Sequence, residues 1–262
     1  MSIITLLTDF GLKDGYPGVM KGVIYQIAPS VQIVDITHSI APQNILEGSL
    51  VLSRSYPYFP AGTIHVAVVD PGVGTHRRPI AARLGAHTFV CPDNGLLTLA
   101  LADAQQAGLE IEIVHLNQPR YWLPQVSNVF HGRDIFAPVA AHLAAGIPLR
   151  DMGERIHDPI CISIPTPQRI AGGWRAQVIG IDHFGNLSVN LHPHHLQNMG
   201  EIQVSIAGAT IRGLSRTFGD ASPGDLVALI DSDNRLSIGV VNGSAAERLK
   251  AQVGTPVEVI SI

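Results

Sequence analysis

The segment Val68-Val69-Asp70-Pro71-Gly72-Val73-Gly74-Thr75-His76-Arg77-Arg78 sets a carboxylate and two guanidinium groups on either side of a Pro/Gly turn. An apolar run ends in Asp70, and such a turn can return Arg77 towards it. A carboxylate beside an arginine can hold and polarise a water or a small anion. Spacing alone also admits a surface salt bridge across a hairpin, which contributes little to stability. A phosphate loop is excluded, because no Lys-Ser/Thr pair follows the glycines.

Three further clusters carry candidate chemistry. Asp9 closes the run Ile3–Thr8 within Thr8-Asp9-Phe10-Gly11, with Asp14 close behind. A turn former or helix N-cap is the plain alternative for such an Asp. His131, in Asn128-Val129-Phe130-His131-Gly132-Arg133-Asp134, precedes a helix whose expected N-cap is Asp134. An imidazole there can bind an anion, orient a water or act as a base. The stretch "GIDHFGNLSVNL" (180–191) places Asp182 and Asn186 around a Phe-Gly turn. These are an acid for an ammonium and an amide for a purine edge, although a hairpin turn needs no more. His192, His194 and His195 lie without nearby acids on a Pro-interrupted loop, so they read as surface histidines rather than metal ligands.

Apolar periodicity supplies the elements that must position these groups. Runs at 3–8, 31–36, 63–69, 88–91 and 110–116 read as strands. They alternate with helical patterns at 15–27 (Val19, Val23, Ile27), 44–56, 94–107 and 134–145. This predicts an α/β domain over 1–153, a mostly parallel sheet sandwiched by helices. Ligands of such sheets bind beyond the carboxyl ends of the strands, where both Asp9 and Asp70 fall. After Gly153, runs at 160–164, 177–181, 201–206, 226–230, 236–241 and 256–260 are separated by turn residues. They predict a smaller C-terminal antiparallel β domain over 154–262, with the linker near 151–165.

Composition narrows the function classes. A length of 262 residues accommodates two cores, and 46% apolar residues exclude general disorder. The formal charge of −4 argues against nucleic-acid binding, which needs a basic face. No apolar stretch is long enough to span a bilayer, and the first residues lack a signal-peptide pattern. With only Cys91 and Cys161 as thiols, a cytoplasmic protein without a cysteine-rich metal site is expected.

In order along the chain, "TDFG" with Asp14, "VVDPGVGTHRR", "FHGRDIFAP", "IDHFGN" and "VNGSAAE" resemble the adenosine-forming S-adenosyl-L-methionine (SAM) hydrolases. This is the SAM hydroxide adenosyltransferase family, related to fluorinase and chlorinase. The resemblance implies hydrolysis of SAM to adenosine and L-methionine by a homotrimer with active sites between subunits, needing no cofactor and no metal. It implies that Asp70, Arg77 and His131 hold the nucleophilic water. Asp9 would hold the ribose hydroxyls, Asp14 would lie near the methionine end, and Phe130 against the nucleoside. Asp182 would face the ammonium, and Asn186 the adenine edge with help from backbone around Asn242 and Ser244. The halogenases have Tyr at the position of Asp70 and Thr at that of Val73, and an insertion absent here, so water is expected over halide. Gln43 stands where some relatives carry an aromatic residue. A halogenase and a non-catalytic SAM or adenosine sensor are the alternatives.

Overall fold

Alternation along the apolar runs decides the architecture of the N-terminal unit. Strand β1 (Ile3–Thr8) sends Ile4 and Leu6 into one core and Leu7 into another. Following α1 (Tyr16–Ile27), β2 (Gln32–Thr37) and α2 (Ile45–Ser55), strand β3 (Ile64–Val68) repeats the pattern. Ile64, Val66 and Val68 face the first core, and Ala67 and Val69 the second. Next come β4 (Pro79–Leu84), β5 (His87–Pro92), α3 (Thr98–Gln106), β6 (Ile111–His115), α4 (Ala137–Ala144) and the short β7 (Glu154–Arg155). Helices α1 and α4 contribute Met20, Ile24, Val139 and Ala140 to one core, while α2 and α3 contribute Leu52, Ala100 and Leu101 to the other. A sheet buried on both faces by helices is the result.

The structure is a computed structural model and describes residues 2–262. The chain divides into two compact units, the first ending at Ser163 and the second spanning Ile164–Ile262. The first sheet has the order β2-β1-β3-β5-β4-β6-β7. It is mixed, not mostly parallel: β2, β1, β3 and β5 run parallel, whereas β4 is antiparallel to both β5 and β6, and β7 is antiparallel to β6. The expectation failed at β4, whose sequence Pro-Ile-Ala-Ala-Arg-Leu holds a single β-branched residue and gives no strand signal. Its hairpin to β5 turns at Gly85, which has φ +56°.

Three local expectations also change. On α1 the buried stripe is Met20, Val23 and Ile24, and Val19 is exposed. No strand forms at 160–164; the amides of Ile160 and Ile162 donate instead to Asp93 Oδ1 and Thr98 Oγ1. Asp134 is not an N-cap but lies inside a π-helical turn, Gly132–Phe136, that leads into α4.

The second unit comprises β8 (Gln168–Ile170), β9 (Gly173–Ile181), β10 (Leu187–Val189), α5 (Pro193–Leu196), β11 (Ile202–Ile206) and β12 (Ala209–Arg212). It continues through β13 (Leu226–Ile230), β14 (Leu236–Val240), α6 (Ala245–Leu249) and β15 (Pro256–Ser261). All its ladders are antiparallel, in the order β12-β11-β15-β9-β10-β14-β13 with β8 on β9, and the sheet curls towards a barrel around Val178, Val204, Ile238 and Val259.

One buried group in the first unit couples the fold to pH. His65 on β3 is fully buried, with Nδ1 2.8 Å from Thr5 Oγ1 on β1 and its ring stacked on Phe89 at 5.1 Å. Burial, aided by neighbouring His87, pushes its pKa down to about 3. Below the ordinary histidine value the unfolded chain binds a proton that the folded chain refuses, so stability falls with falling pH. The slope from this group is about 1.4 kcal/mol per pH unit between roughly pH 6.5 and 3. Urea unfolding of the wild type and of His65→Gln across that range checks it: the variant loses this part of the slope.

Candidate active site

The first unit gathers its candidate residues where β1 and β3 end. Val69 O at the end of β3 accepts a hydrogen bond from Asn94 Nδ2 at 2.8 Å, which fixes where Asp70 begins. Two successive turns follow, closed by Val73 N to Asp70 O at 3.2 Å and Thr75 N to Gly72 O at 3.2 Å. They bring Arg77 back onto Asp70. Arg77 Nε donates to Asp70 Oδ1 at 3.0 Å, and Arg77 Nη2 donates to Asp70 Oδ2. Both side chains are nearly buried, at 6% and 5% exposure, so this is not a surface salt bridge. The guanidinium carbon also lies 5.4 Å from the centre of the Phe136 ring.

Arg77 reaches a second loop as well. Its Nη2 lies 3.0 Å from His131 Nδ1. A guanidinium has donors only, so Nδ1 must accept, and the ring is neutral with its proton on Nε2. Burial lowers the His131 pKa, and Arg77 lowers it further against the opposing pull of Asp70. Burial raises the Asp70 carboxyl above the ordinary carboxylate range, with Arg77 opposing. Arg77 Nη1 is buried and has no partner among the described residues.

The His131 loop is set by the π-helical turn beneath it. An extra residue per turn widens the helix entry, a feature frequent at functional sites. Asp134, fully buried, accepts Ser127 N at 2.8 Å and the Arg133 side chain, while its carbonyl accepts Leu123 N at 2.9 Å. One acid thus ties 123–127 to the turn that carries His131. The two loops meet at Gly74, which has φ +76° and whose Cβ, if present, would lie 2.2 Å from the Asn128 carbonyl oxygen. Only glycine permits that approach.

Neighbouring Arg78 is engaged elsewhere. It bonds Asp93 at 2.8 Å and Asp158 at 2.9 Å, a structural tie within the first unit. Asp9 is half-buried at the end of β1, and its Oδ2 accepts the Gln43 backbone N–H at 2.8 Å. Gln43 itself has φ +66° and an exposed side chain. Asp14 is exposed in the bend before α1. Phe130 packs edge-on against Phe10 at 5.7 Å and Tyr16 at 5.2 Å. Sequence reading missed these two aromatics, although Phe10 adjoins Asp9.

The second unit brings its own set together. Asp182 Oδ1 accepts the amides of Phe184 and Asn186 at 2.9 and 2.8 Å, and its Oδ2 accepts Asn186 Nδ2 at 2.8 Å. The two side chains read as ligand contacts therefore hold each other across the turn. Ser244 caps α6 by accepting the Glu247 amide at 3.1 Å, and Asn242 adopts φ +55°. Gly185 (φ +81°) packs so close to Ser244 that a Cβ would lie 2.1 Å from its Oγ. Asp182, Asn186 and Ser244 thus share one corner of this unit. No group of three or more His, Cys, Asp or Glu suited to a metal occurs among the described residues, nor any helix long and apolar enough to cross a membrane.

Comparison with known proteins agrees across both units. The SAM hydroxide adenosyltransferase N-terminal domain matches residues 4–153, and the C-terminal domain of that family matches residues 176–258. A curated protein of Salinispora arenicola named (R)-S-adenosyl-L-methionine hydrolase is 39% identical, over 98% of this chain and 97% of its own. Its namesake in Thermus thermophilus is 38% identical, over 99% and 100%. A fluorinase of Nocardia brasiliensis is 28% identical, over 98% and 96%. The crystal structure of an uncharacterized conserved protein from Thermotoga maritima superposes with a TM-score of 0.90 at 36% identity, covering 98% of this chain and 99% of that one.

The Gly74 approach yields a test that needs no substrate. Gly74→Ala must push the Asp70–Arg77 loop off the Asn128 carbonyl, costing about 1–3 kcal/mol of stability. It also separates Arg77 from His131, so the His131 pKa rises towards the ordinary value of about 6.5. Histidine titration by NMR and thermal unfolding of the variant check both effects; an unmoved His131 titration contradicts the contact.

Proposed function

We propose that this chain, which belongs to the SAM hydroxide adenosyltransferase family, hydrolyses S-adenosyl-L-methionine to adenosine and L-methionine by attack of water at the ribose C5′. The observation that carries the reading is the Asp70–Arg77–His131 cluster, in which one buried Arg77 nitrogen has no partner among the described residues. The curated relatives named for SAM hydrolysis, at 37–39% identity, support it.

The chemistry asks most of the nucleophile. The leaving group departs from a sulfonium as a neutral thioether, so it needs neither acid nor metal. Water is a weak nucleophile, and Arg77 Nη1 offers a permanent positive donor to stabilise developing hydroxide. His131, neutral with its Nε2 proton towards the Ser127 carbonyl, accepts from Arg77 and holds the guanidinium in place. Its Nδ1 is occupied by Arg77, so it is not the proton acceptor. Asp70 gives each oxygen once to Arg77 and keeps lone pairs to accept the water proton, helped by a carboxyl pKa raised by burial. Alignment of water, C5′ and sulfur supplies the rest of the acceleration.

The remaining assignments follow the same reading. Asp9 binds the ribose hydroxyls, Phe130 with Phe10 and Tyr16 lies against the nucleoside, and Asp14 lies near the methionine end. Asp182 meets the ammonium, and Asn186 with Asn242 and Ser244 meets adenine. The Asp182–Asn186 bond would hold both in place for those contacts. The assembly is a cytoplasmic homotrimer with active sites between subunits, without cofactor or metal. Asp70 favours water over halide as the nucleophile, as does the lower identity to fluorinases, 28–30%.

Chromatography of SAM incubations tests the reading. Adenosine and methionine should accumulate with a chelator present, and added fluoride or chloride should give no 5′-halo-5′-deoxyadenosine. Because the relatives' names carry the R descriptor, the two sulfonium epimers are assayed separately. Arg77→Ala should lower kcat by about 10²–10³-fold while changing KM far less. Protonating His131 sets donor against donor, so kcat stays level through neutral pH and falls only below about pH 6.5. Wild-type turnover by Arg77→Ala would refute the assignment.

A further inference from the structure

The segment that carries Asp9 hangs on a buried histidine outside the cluster described above. His38 follows β2, and its side chain is 2% exposed. Its Nδ1 lies 2.9 Å from Thr8 Oγ1. Its Nε2 lies 3.1 Å from Asp35 Oδ1, at ion-pair distance though poorly aligned for a hydrogen bond. Asp35 in turn accepts Lys21 Nζ from α1 at 2.6 Å.

The far end of this chain is the backbone beside Asp9. Thr8 Oγ1 accepts the Phe10 N–H at 3.2 Å, and the His38 carbonyl accepts the Gly11 N–H at 2.7 Å. The two amides that follow Asp9 are therefore both tied to His38, one through the Thr8 hydroxyl and one directly. Asp35 accepts only, so the neutral ring carries its proton on Nε2, and Nδ1 accepts the Thr8 hydroxyl proton. The ring then presents its Nε2 proton to Asp35. Thr8 and His38 are both buried, and a bonded pair of buried polar groups holds one geometry, with Asp35 at its solvent end.

We propose that His38 is a positioning residue for Asp9. Through Thr8 and its own carbonyl, it sets the direction in which Asp9 presents its carboxylate to the vicinal hydroxyls of a nucleoside. A carboxylate spanning two hydroxyls depends on orientation, so a small rotation of the 8–11 segment weakens both bonds together. The inference rests on the reading of Asp9 given under the proposed function.

Calorimetric binding of adenosine and of 2′,3′-dideoxyadenosine separates the two claims. Asp9→Asn should weaken adenosine binding and spare the dideoxy compound. His38→Ala should weaken adenosine by about ten-fold, since it leaves buried partners unpaired around Asp9. It should change dideoxyadenosine by less than about two-fold and add nothing further in the Asp9→Asn background. Thr8→Val keeps the volume, removes only the hydroxyl and carries the same expectation, so a poorly folding His38→Ala does not decide the matter. If Asp9→Asn leaves adenosine binding unchanged, the Asp9 reading falls and this proposal with it. If Asp9→Asn weakens adenosine while His38→Ala and Thr8→Val do not, or weaken both nucleosides equally, only the positioning role is overturned. A full multiplicative loss in the double variant overturns it too.

Discussion

One guanidinium joins the two loops on which the proposed chemistry depends. Arg77 grips both oxygens of Asp70 and at the same time donates to His131, some fifty positions further along the chain. Much of the surrounding structure serves that junction. The end of β3 is pinned by Asn94, the double turn needs Gly74, and the π-helical turn is tied down by Asp134. A buried ion pair is poor value for stability alone, because desolvating two charges offsets most of their attraction. Its persistence here makes sense as preorganisation: donors already desolvated and aimed need no rearrangement when charge develops on a water.

The electrostatics divide labour between adjacent arginines. Arg77 faces Asp70 and His131, while Arg78 faces Asp93 and Asp158 and locks the 158–160 segment against β5. The two arginines meet three carboxylates, so the site gathers directed donors without a net positive field. The neutral state of His131 belongs to the same arrangement. A protonated ring would face the guanidinium donor to donor, and burial with Arg77 together hold its pKa down. A group that keeps one tautomer through neutral pH is a stable acceptor for Arg77 rather than a titrating switch.

Much of this was legible in the residues. A strand end followed by two glycine turns allowed an arginine to return to Asp70 but left a surface salt bridge equally open, and the change of apolar period pointed to two units with the change at Gly153, whereas the first compact unit runs on to Ser163. Other parts were hidden for physical reasons. Strand β4 has a single β-branched residue, so its place between β5 and β6 comes from tertiary pairing, and without it the sheet looked mostly parallel. One residue inserted into a helical turn leaves no periodic trace, so Asp134 looked like a cap. Which arginine of the pair turns inward depends on strand register. The mutual bond of Asp182 and Asn186 is a turn property that residue types alone leave open.

The central claim is that solvent water, held by Arg77, attacks the ribose C5′. Hydrolysis of SAM in ¹⁸O-labelled water, with mass analysis of the products, tests it most directly. The account predicts one solvent oxygen in the 5′-hydroxyl of adenosine and none in methionine, with the label vanishing alongside turnover in Arg77→Ala. Adenosine free of label, or label delivered to methionine, would contradict it.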